Sequence, residues 1–352
     1  MPVLDINGLI DERALAIRDY HRQSNVPRAE LDLSGGIDSA VMAGLLVLAL
    51  GPGNVTLVHS NINSNPVQTR RAVALAKGLG CQLINIDLGG IYRDILGLSR
   101  QAIINASGDE ALAEVLARCD ADPTIEGSFR STLRAPIGRW FNRLMGNGIR
   151  HGTGNKCEDE FLRYFQKGGD GEVDTNPIEM LSKSEVYQLA WGLARRFPLA
   201  KDAYLETIQA KPSADLWAKG DEQTDESELK NWLKVPFTYG TIDIETGAIK
   251  TYGTIERVSL ALGLRMESFG THTLGERLFG ALPVTEEALS DLVGVARRYF
   301  PEDQFTTEEV GAFLLAARKA EKNTRHKSNE NIPILGTRES LVRSGILSNE
   351  LT

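Results

Sequence analysis

The sequence is short of cysteine, of long apolar runs and of basic residues, and each shortage excludes a class of protein. Its three cysteines, Cys81, Cys119 and Cys157, are odd in number and far apart. They form neither a disulfide framework nor a Cys-x-x-Cys zinc pair, so a reducing compartment, the cytoplasm, is expected. The longest apolar stretch, Ala40 to Leu50, falls well short of the roughly 20 residues that span a bilayer. The opening residues MPVLDINGLIDER lack a basic start followed by an apolar run, so no signal peptide is expected. Lys and Arg number 39 against 47 acids, a net charge of -8. A general nucleic-acid binder needs a clustered basic excess; neither a nucleic-acid nor a membrane partner is expected. What remains is an ordinary globular composition, 42% apolar and 24% charged over 352 residues, enough for one large α/β domain with additions or for two small domains.

Hydrophobic periodicity then orders the chain. Ile6, Leu9, Ile10, Ala14 and Ile17 mark an amphipathic opening helix, with Asp5 as its N-cap. A short strand at 29–33 ends in Ser34-Gly35-Gly36 and is followed by a buried helix at 40–50. A strand at 55–59, a helix at 66–79 and a strand at 81–88 continue the alternation, which implies parallel strands, right-handed crossovers and a ligand at the carboxyl ends of the strands. The expected fold class is a doubly wound, Rossmann-like parallel α/β sheet with a helical C-terminal extension. Residues 96–122 read as a polar, mainly helical stretch, and 124–145 as a long helix carrying Phe129, Leu133, Ile137, Trp140, Phe141 and Leu144 on one side. A polar strand is expected at 149–152, and helices at 156–166 and 183–196, the latter announced by Ser182 and Glu185. Residues 211–228 read as an acidic mobile loop, 239–252 as a β-hairpin, and 254–262, 285–299 and 306–322 as helices. Three segments are expected: 1–230, 231–290 and 291–352.

The chemistry centres on Ser34-Gly35-Gly36-Ile37-Asp38-Ser39. After a strand, paired glycines let the backbone approach a polyanion, and the helix N-terminus behind them offers N–H groups and positive potential. Ser34 and Ser39 add hydroxyl donors. No Gly-Lys-Ser/Thr is present, so the loop is not a Walker loop. Asp38, in the first helical turn, would repel phosphates unless it held a cation, which points to Mg²⁺. By itself, however, the loop is also compatible with a plain tight turn.

This loop resembles the signature of the N-type ATP pyrophosphatases. Four further segments narrow the resemblance to the NAD synthetase family, in the ammonia-using form: Gly152-Thr153-Gly154-Asn155-Lys156-Cys157-Glu158, Tyr164 to Gly171, Asp174-Thr175-Asn176-Pro177-Ile178, and Lys211 to Trp217. The resemblance implies adenylation of the carboxylate of deamido-NAD by ATP, then attack of ammonia on the acyl-adenylate, releasing AMP and pyrophosphate. It implies that Asp38 and Glu158 hold Mg²⁺. It also implies that Leu33, Ser34, Gly35, Gly36, Ile37, Asp38, Ser39, Thr153, Lys183 and Ser213 hold ATP, with Ser34, Asp38, Thr153, Lys183 and Ser213 as the catalytic set. For the acid substrate it implies Phe129, Arg134, Lys167, Asp170, Asp174, His326 and Lys327. A homodimer is the family expectation. Taken singly, Glu158 is a helix-start acid, Lys183 a solvated lysine, and Asp170 and Asp174 loop acids.

The resemblance is incomplete. Thr132 and Ala135-Pro136-Ile137 replace an arginine and a tyrosine of the family segment, and one extra residue separates Glu158 from Tyr164-Phe165. No counterpart is recognised for residues 234–287. No glutaminase is expected within these residues, so nitrogen would come from free ammonia or from a separate ammonia-supplying protein. Two other readings stay open: a paralogue that adenylates another carboxylate, and a nucleotide-binding regulatory protein, against which the retention of Asp38, Glu158, Lys183 and Ser213 speaks.

Overall fold

The structure is a computed structural model that describes residues 5–122, 124–213, 224–269, 286–324, 327 and 337–348. Helix α1 (Ile6–Ser24) is capped by Asp5, whose carboxylate accepts from the Gly8 N–H at 2.8 Å. Then come β1 (Ala29–Asp32), α2 (Ile37–Leu50), β2 (Val55–Asn61), α3 (Pro66–Leu79) and β3 (Gln82–Asp87). Helices α4 (Gly89–Ala121) and α5 (Thr124–Leu144) precede β4 (Ile149–His151). Helices α6 (Lys183–Arg196), α7 (Lys201–Gln209) and α8 (Asp225–Leu233) follow, then β5 (Thr241–Ile242) and β6 (Ile249–Thr251). The described chain closes with α9 (Thr254–Phe269), α10 (Glu286–Ala296), α11 (Thr307–Thr324) and α12 (Arg338–Arg343).

The four-stranded sheet is parallel, in the order β3-β2-β1-β4, which is the doubly wound arrangement expected. The strands stay parallel, but β2 and β3 are added on one side of β1 and β4 on the other, so the winding of the chain reverses between β1 and β4. At such a switch point the loops leaving the two strands part and open a crevice at their carboxyl ends, and here those loops are 33–36 and 152–155.

Alternation along β1 splits its side chains between the faces. Leu31 enters the main core with Val41, Leu45, Leu57, Leu189 and Leu193. Glu30 faces the other way, toward α5, and lies directly opposite Arg150 on β4. That pairing explains the polar β4. Arg150 is 2% exposed and holds both oxygens of Glu30 at 2.8 Å, and it also contacts Asp32. A Cβ on Gly138 would stand 1.9 Å from the Arg150 guanidinium, so α5 seats over this cluster only because it carries glycine there. His151 is likewise buried, 2.9 Å from the His21 ring, and burial lowers it to about 3.

Four expectations are refined or corrected. The apolar side of α5 divides: Phe129, Leu133 and Ile137 pack against Ile62, Leu88 and Tyr92, while Trp140 and Leu144 are 60% and 56% exposed. Its buried residues also include Gly127, Arg130, Ser131, Ala135, Gly138 and Asn142, and Gly138 leaves the room that Arg150 occupies. Residues 156–166 form no α-helix; Lys156–Leu162 is a π-helix. Its i→i+5 bonds make each turn wider than that of an α-helix. The expected acidic loop ends early, because Thr224 caps α8 from Asp225; residues 214–223 lie outside the described residues. Helix α4 begins at Gly89, earlier than expected, and breaks at Gly108, where φ is 81°. The hairpin and α9 stand where expected. The start of the helix expected at 285–299 lies outside the described residues, and α10 is seen from Glu286.

A second apolar cluster joins Cys157 and Leu162 of the π-helix to α8, α9, α10 and α11 through Leu229, Phe237, Val258, Leu292, Phe313 and Leu314. The downstream helices therefore pack directly behind the segment that carries Glu158.

Candidate active site

The loop after β1 turns at Gly35, where φ is 88° and a Cβ would meet the Gln68 carbonyl at 2.3 Å. Only glycine is accommodated there. The loop hydroxyls interlock: Ser34 Oγ lies 3.0 Å from Ser39 Oγ and accepts from the Gly36 N–H at 3.1 Å, and Ser39 Oγ donates to the Gly36 carbonyl. Gly36 caps α2 without a side-chain hydrogen bond. The first turn of α2 thus presents its N–H groups to the crevice, the geometry that attracts an anion.

Opposite it, three predicted residues converge. Lys183, the first residue of α6, is 1% exposed, and its Nζ lies 2.7 Å from Asp38 Oδ2 and 2.7 Å from Glu158 Oε1. The expected capping box fixes its backbone: Glu185 Oε2 accepts from the Ser182 N–H at 2.7 Å, and Arg338 holds the same carboxylate at 2.8 Å. Asn155 joins the group. Its amide donates to Asp38 Oδ1 at 3.0 Å, while its own oxygen caps the π-helix by accepting from Cys157 and Glu158. Burial raises the Glu158 carboxyl, with Asp38 adding to the rise and Lys183 opposing it. Lys183 rises well above its ordinary value, because Asp38 and Glu158 outweigh burial. Two carboxylates against one ammonium leave excess negative charge, and hard oxygen donors under that condition suit a divalent cation.

Of the other residues expected to hold ATP, Thr153 follows β4 by two positions in the crevice loop, beside Gly154, whose carbonyl accepts from Asn176 at 3.0 Å. Ser213 follows Pro212, whose carbonyl accepts from the first N–H of α8. A small cavity at the ends of β1 and β2 is lined by Asp32, Leu33, Ser34, His59, Ser64 and Arg134. Arg134 donates to the Ser60 carbonyl at 3.2 Å and to Ser64 Oγ at 3.4 Å, so it stands on the phosphate-loop side.

Four of the expected acceptor residues, Phe129, Asp170, Asp174 and Lys327, have partners within the protein. Phe129 stacks on Tyr92 with centroids 5.3 Å apart. Asp170 Oδ1 accepts from Ser131 Oγ and from the Gln166 N–H, both at 2.8 Å. Asp174 accepts two bonds from Arg139 at 2.8 and 2.9 Å and one from the Arg150 N–H at 2.8 Å. Lys167 is exposed, and Lys327 Nζ donates to the Phe165 carbonyl at 2.6 Å. His326 lies outside the described residues. Thr132 bonds back to the Ser128 carbonyl at 2.9 Å, where the family segment would present an arginine.

Sequence reading missed Asn155 as a partner of Asp38, although it sits inside the 152–158 motif. It also missed Tyr239, whose hydroxyl donates to Glu158 Oε1 at 3.3 Å, and there no local signal marks it.

The chain is 33% identical over 257 residues to an NH(3)-dependent NAD(+) synthetase from Methanococcoides burtonii, covering 72% of this chain and 84% of that protein. A second NH(3)-dependent NAD(+) synthetase, from Archaeoglobus fulgidus, is 36% identical over 217 residues, or 60% of this chain and 74% of its own length. The fold is shared with the NMN synthetase of Francisella tularensis at a TM-score of 0.54 and 22% identity, over 86% of this chain and 98% of that one. The sequence profile of the NAD synthase family matches residues 9–245, from α1 through the phosphate loop and the Lys183 cluster to the β-hairpin, and the chain belongs to that family.

Proposed function

We propose that this chain forms NAD from deamido-NAD, ATP and ammonia through an acyl-adenylate. The observation that carries this reading is the buried Lys183 ammonium between Asp38 and Glu158, set where the phosphate loop and the 152–155 loop part. A carboxylate becomes a usable electrophile only when one oxygen is linked to a good leaving group. Its attack on the α-phosphorus of ATP expels pyrophosphate, and attack of ammonia on the acyl carbon then expels AMP.

The α2 N–H groups, Ser34 and Ser39 bind the phosphates, and Lys183 neutralises charge that develops as pyrophosphate departs. Ser213 joins them on the ATP phosphates, and Thr153 lies near the α-phosphate and the ammonia site. Bound Mg²⁺ would neutralise phosphate charge, and Asp38 and Glu158 are the residues to hold it. Arg134, Lys167, Asp170, Asp174 and Lys327 serve the acid substrate, with the ammonia either free or delivered by a separate protein. A homodimer is supported by the apolar side chains that α4 and α5 leave exposed, Leu98 at 70% and Trp140 at 60% among them. Among the described residues, no helix is long and apolar enough to cross a membrane.

One observation favours a second reading, a related carboxylate as acceptor: Thr132 is bonded back to its own helix and Asp174 is already taken by Arg139. A screen of carboxylic acids read by pyrophosphate release separates the two. Deamido-NAD, ATP, Mg²⁺ and ammonium are expected to yield NAD and AMP, and turnover only with another acid would retire the deamido-NAD assignment.

A further inference from the structure

Segment 238–256 carries no expected catalytic residue, yet it forms a wall of the Lys183 cluster. Tyr239 is 7% exposed; its hydroxyl reaches Glu158 Oε1 at 3.3 Å, the same oxygen that Lys183 holds, and its ring centroid lies 5.2 Å from the Lys183 Nζ. A cation over an aromatic face at that distance is attracted by the ring quadrupole. The phenol is therefore in contact with both members of the pair at once.

Its placement is heavily determined. Thr238 and Thr254 exchange bonds, each N–H donating to the other's hydroxyl at 2.9 and 3.1 Å. The Tyr239 N–H donates to Glu226 at 2.9 Å. A Cβ on Gly240 would stand 2.1 Å from Ser184 Oγ, and one on Gly253 would stand 2.2 Å from the Thr238 carbonyl. Fully buried Glu256 ties the segment to α6 directly, accepting from the Ser184 and Gly253 N–H groups at 2.6 Å each. A carboxylate at a helix N-terminus is favourable, and this one fixes the turn that carries Lys183.

We propose that Tyr239 is a positioning residue for adenylation, its hydroxyl fixing the Glu158 carboxylate and its ring the Lys183 ammonium. This rests on the proposed function for its activity arm but not for its binding arm. Tyr239→Phe keeps the ring and removes the hydroxyl; Tyr239→Leu removes both. For Tyr239→Phe, kcat for pyrophosphate release is expected to fall about tenfold and the KM for ATP to rise by only about threefold, the signature of an interaction present in the ground state that strengthens in the transition state. Tyr239→Leu is expected to lose about a hundredfold, since the cation also loses its ring. The second arm is calorimetric binding of α,β-methylene-ATP with Mg²⁺, expected to weaken about threefold in Tyr239→Phe at an unchanged melting temperature.

The proposal is overturned if Tyr239→Phe keeps both kcat and analogue affinity within about twofold of the parent, or if the lost kcat merely tracks lost folded protein. If the parent protein releases pyrophosphate with no acid at all, the proposed function fails, and the analogue titration still decides the role of Tyr239.

Discussion

Strand β1 and its following loop serve two buried ionic clusters of the same composition, and only one of them faces the crevice. Within the sheet, Arg150 lies between Glu30 and Asp32; beyond its carboxyl end, Lys183 lies between Asp38 and Glu158. Each sets one cation against two acids, and in each a buried carboxyl is raised, Glu30 to about 7 and Glu158 in the same direction, with burial as the first cause. The surroundings differ. Gly138 of α5 closes directly on Arg150, and Arg139 adds a second positive charge that lowers Glu30. The Lys183 cluster instead adjoins the open first turn of α2 and the loop leaving β4. A cation between two acids thus has no fixed meaning; its place relative to the strand ends decides whether it faces the crevice or is closed inside the sheet.

The largest expected effect separates the clusters by catalysis. Lys183→Met is expected to cut pyrophosphate release on the order of a thousandfold, the scale of losing a charge-stabilising donor, and Asp38→Ala to abolish it in a protein that stays folded. Near-normal turnover by either variant would remove that residue from the chemistry. Next comes stability. Arg150→Met strands Glu30 and Asp32 and is expected to lose about 3–5 kcal/mol in denaturant unfolding, with kcat of the folded fraction kept. Lost turnover in a stable Arg150→Met protein would break the division.

A pH series sharpens the comparison further. Glu30 binds its proton more tightly folded, at about 7, than at its ordinary value of 4.5. Its contribution to stability is therefore complete below 4.5 and is lost as pH rises through about 7, at no more than about 1.4 kcal/mol per pH unit. Glu30→Gln should flatten that limb relative to the parent; an unchanged slope would mean that Arg150 keeps Glu30 ionised throughout. The smallest effect concerns the acceptor side. Because Phe129 stacks on Tyr92, Phe129→Leu is expected to cost about 1 kcal/mol of stability with the KM for the acid little changed. A marked rise in that KM would return Phe129 to the substrate.

Much of the architecture was legible because it is local. Regular alternation implied the parallel sheet, Asp5 and Ser182 announced the starts of α1 and α6, and the paired glycines after β1 announced the tight turn into α2. The site was legible in part: Asp38, Glu158 and Lys183 were each named, but a lysine at a helix start looks solvated until the fold buries it.

What the chain order alone determined is therefore the sequence of elements and the identity of the charged groups, since capping, turn geometry and periodicity act over a few residues. Tertiary structure decided the rest. Lys183 meets Asp38 across 145 positions and Tyr239 meets Glu158 across 81. Gly138 of α5 leaves room for Arg150 of β4, and Phe129, Leu133 and Ile137 find Ile62, Leu88 and Tyr92 from segments far along the chain. Burial and the close approach of distant segments fixed those charges, and neither is a property of any short stretch of sequence.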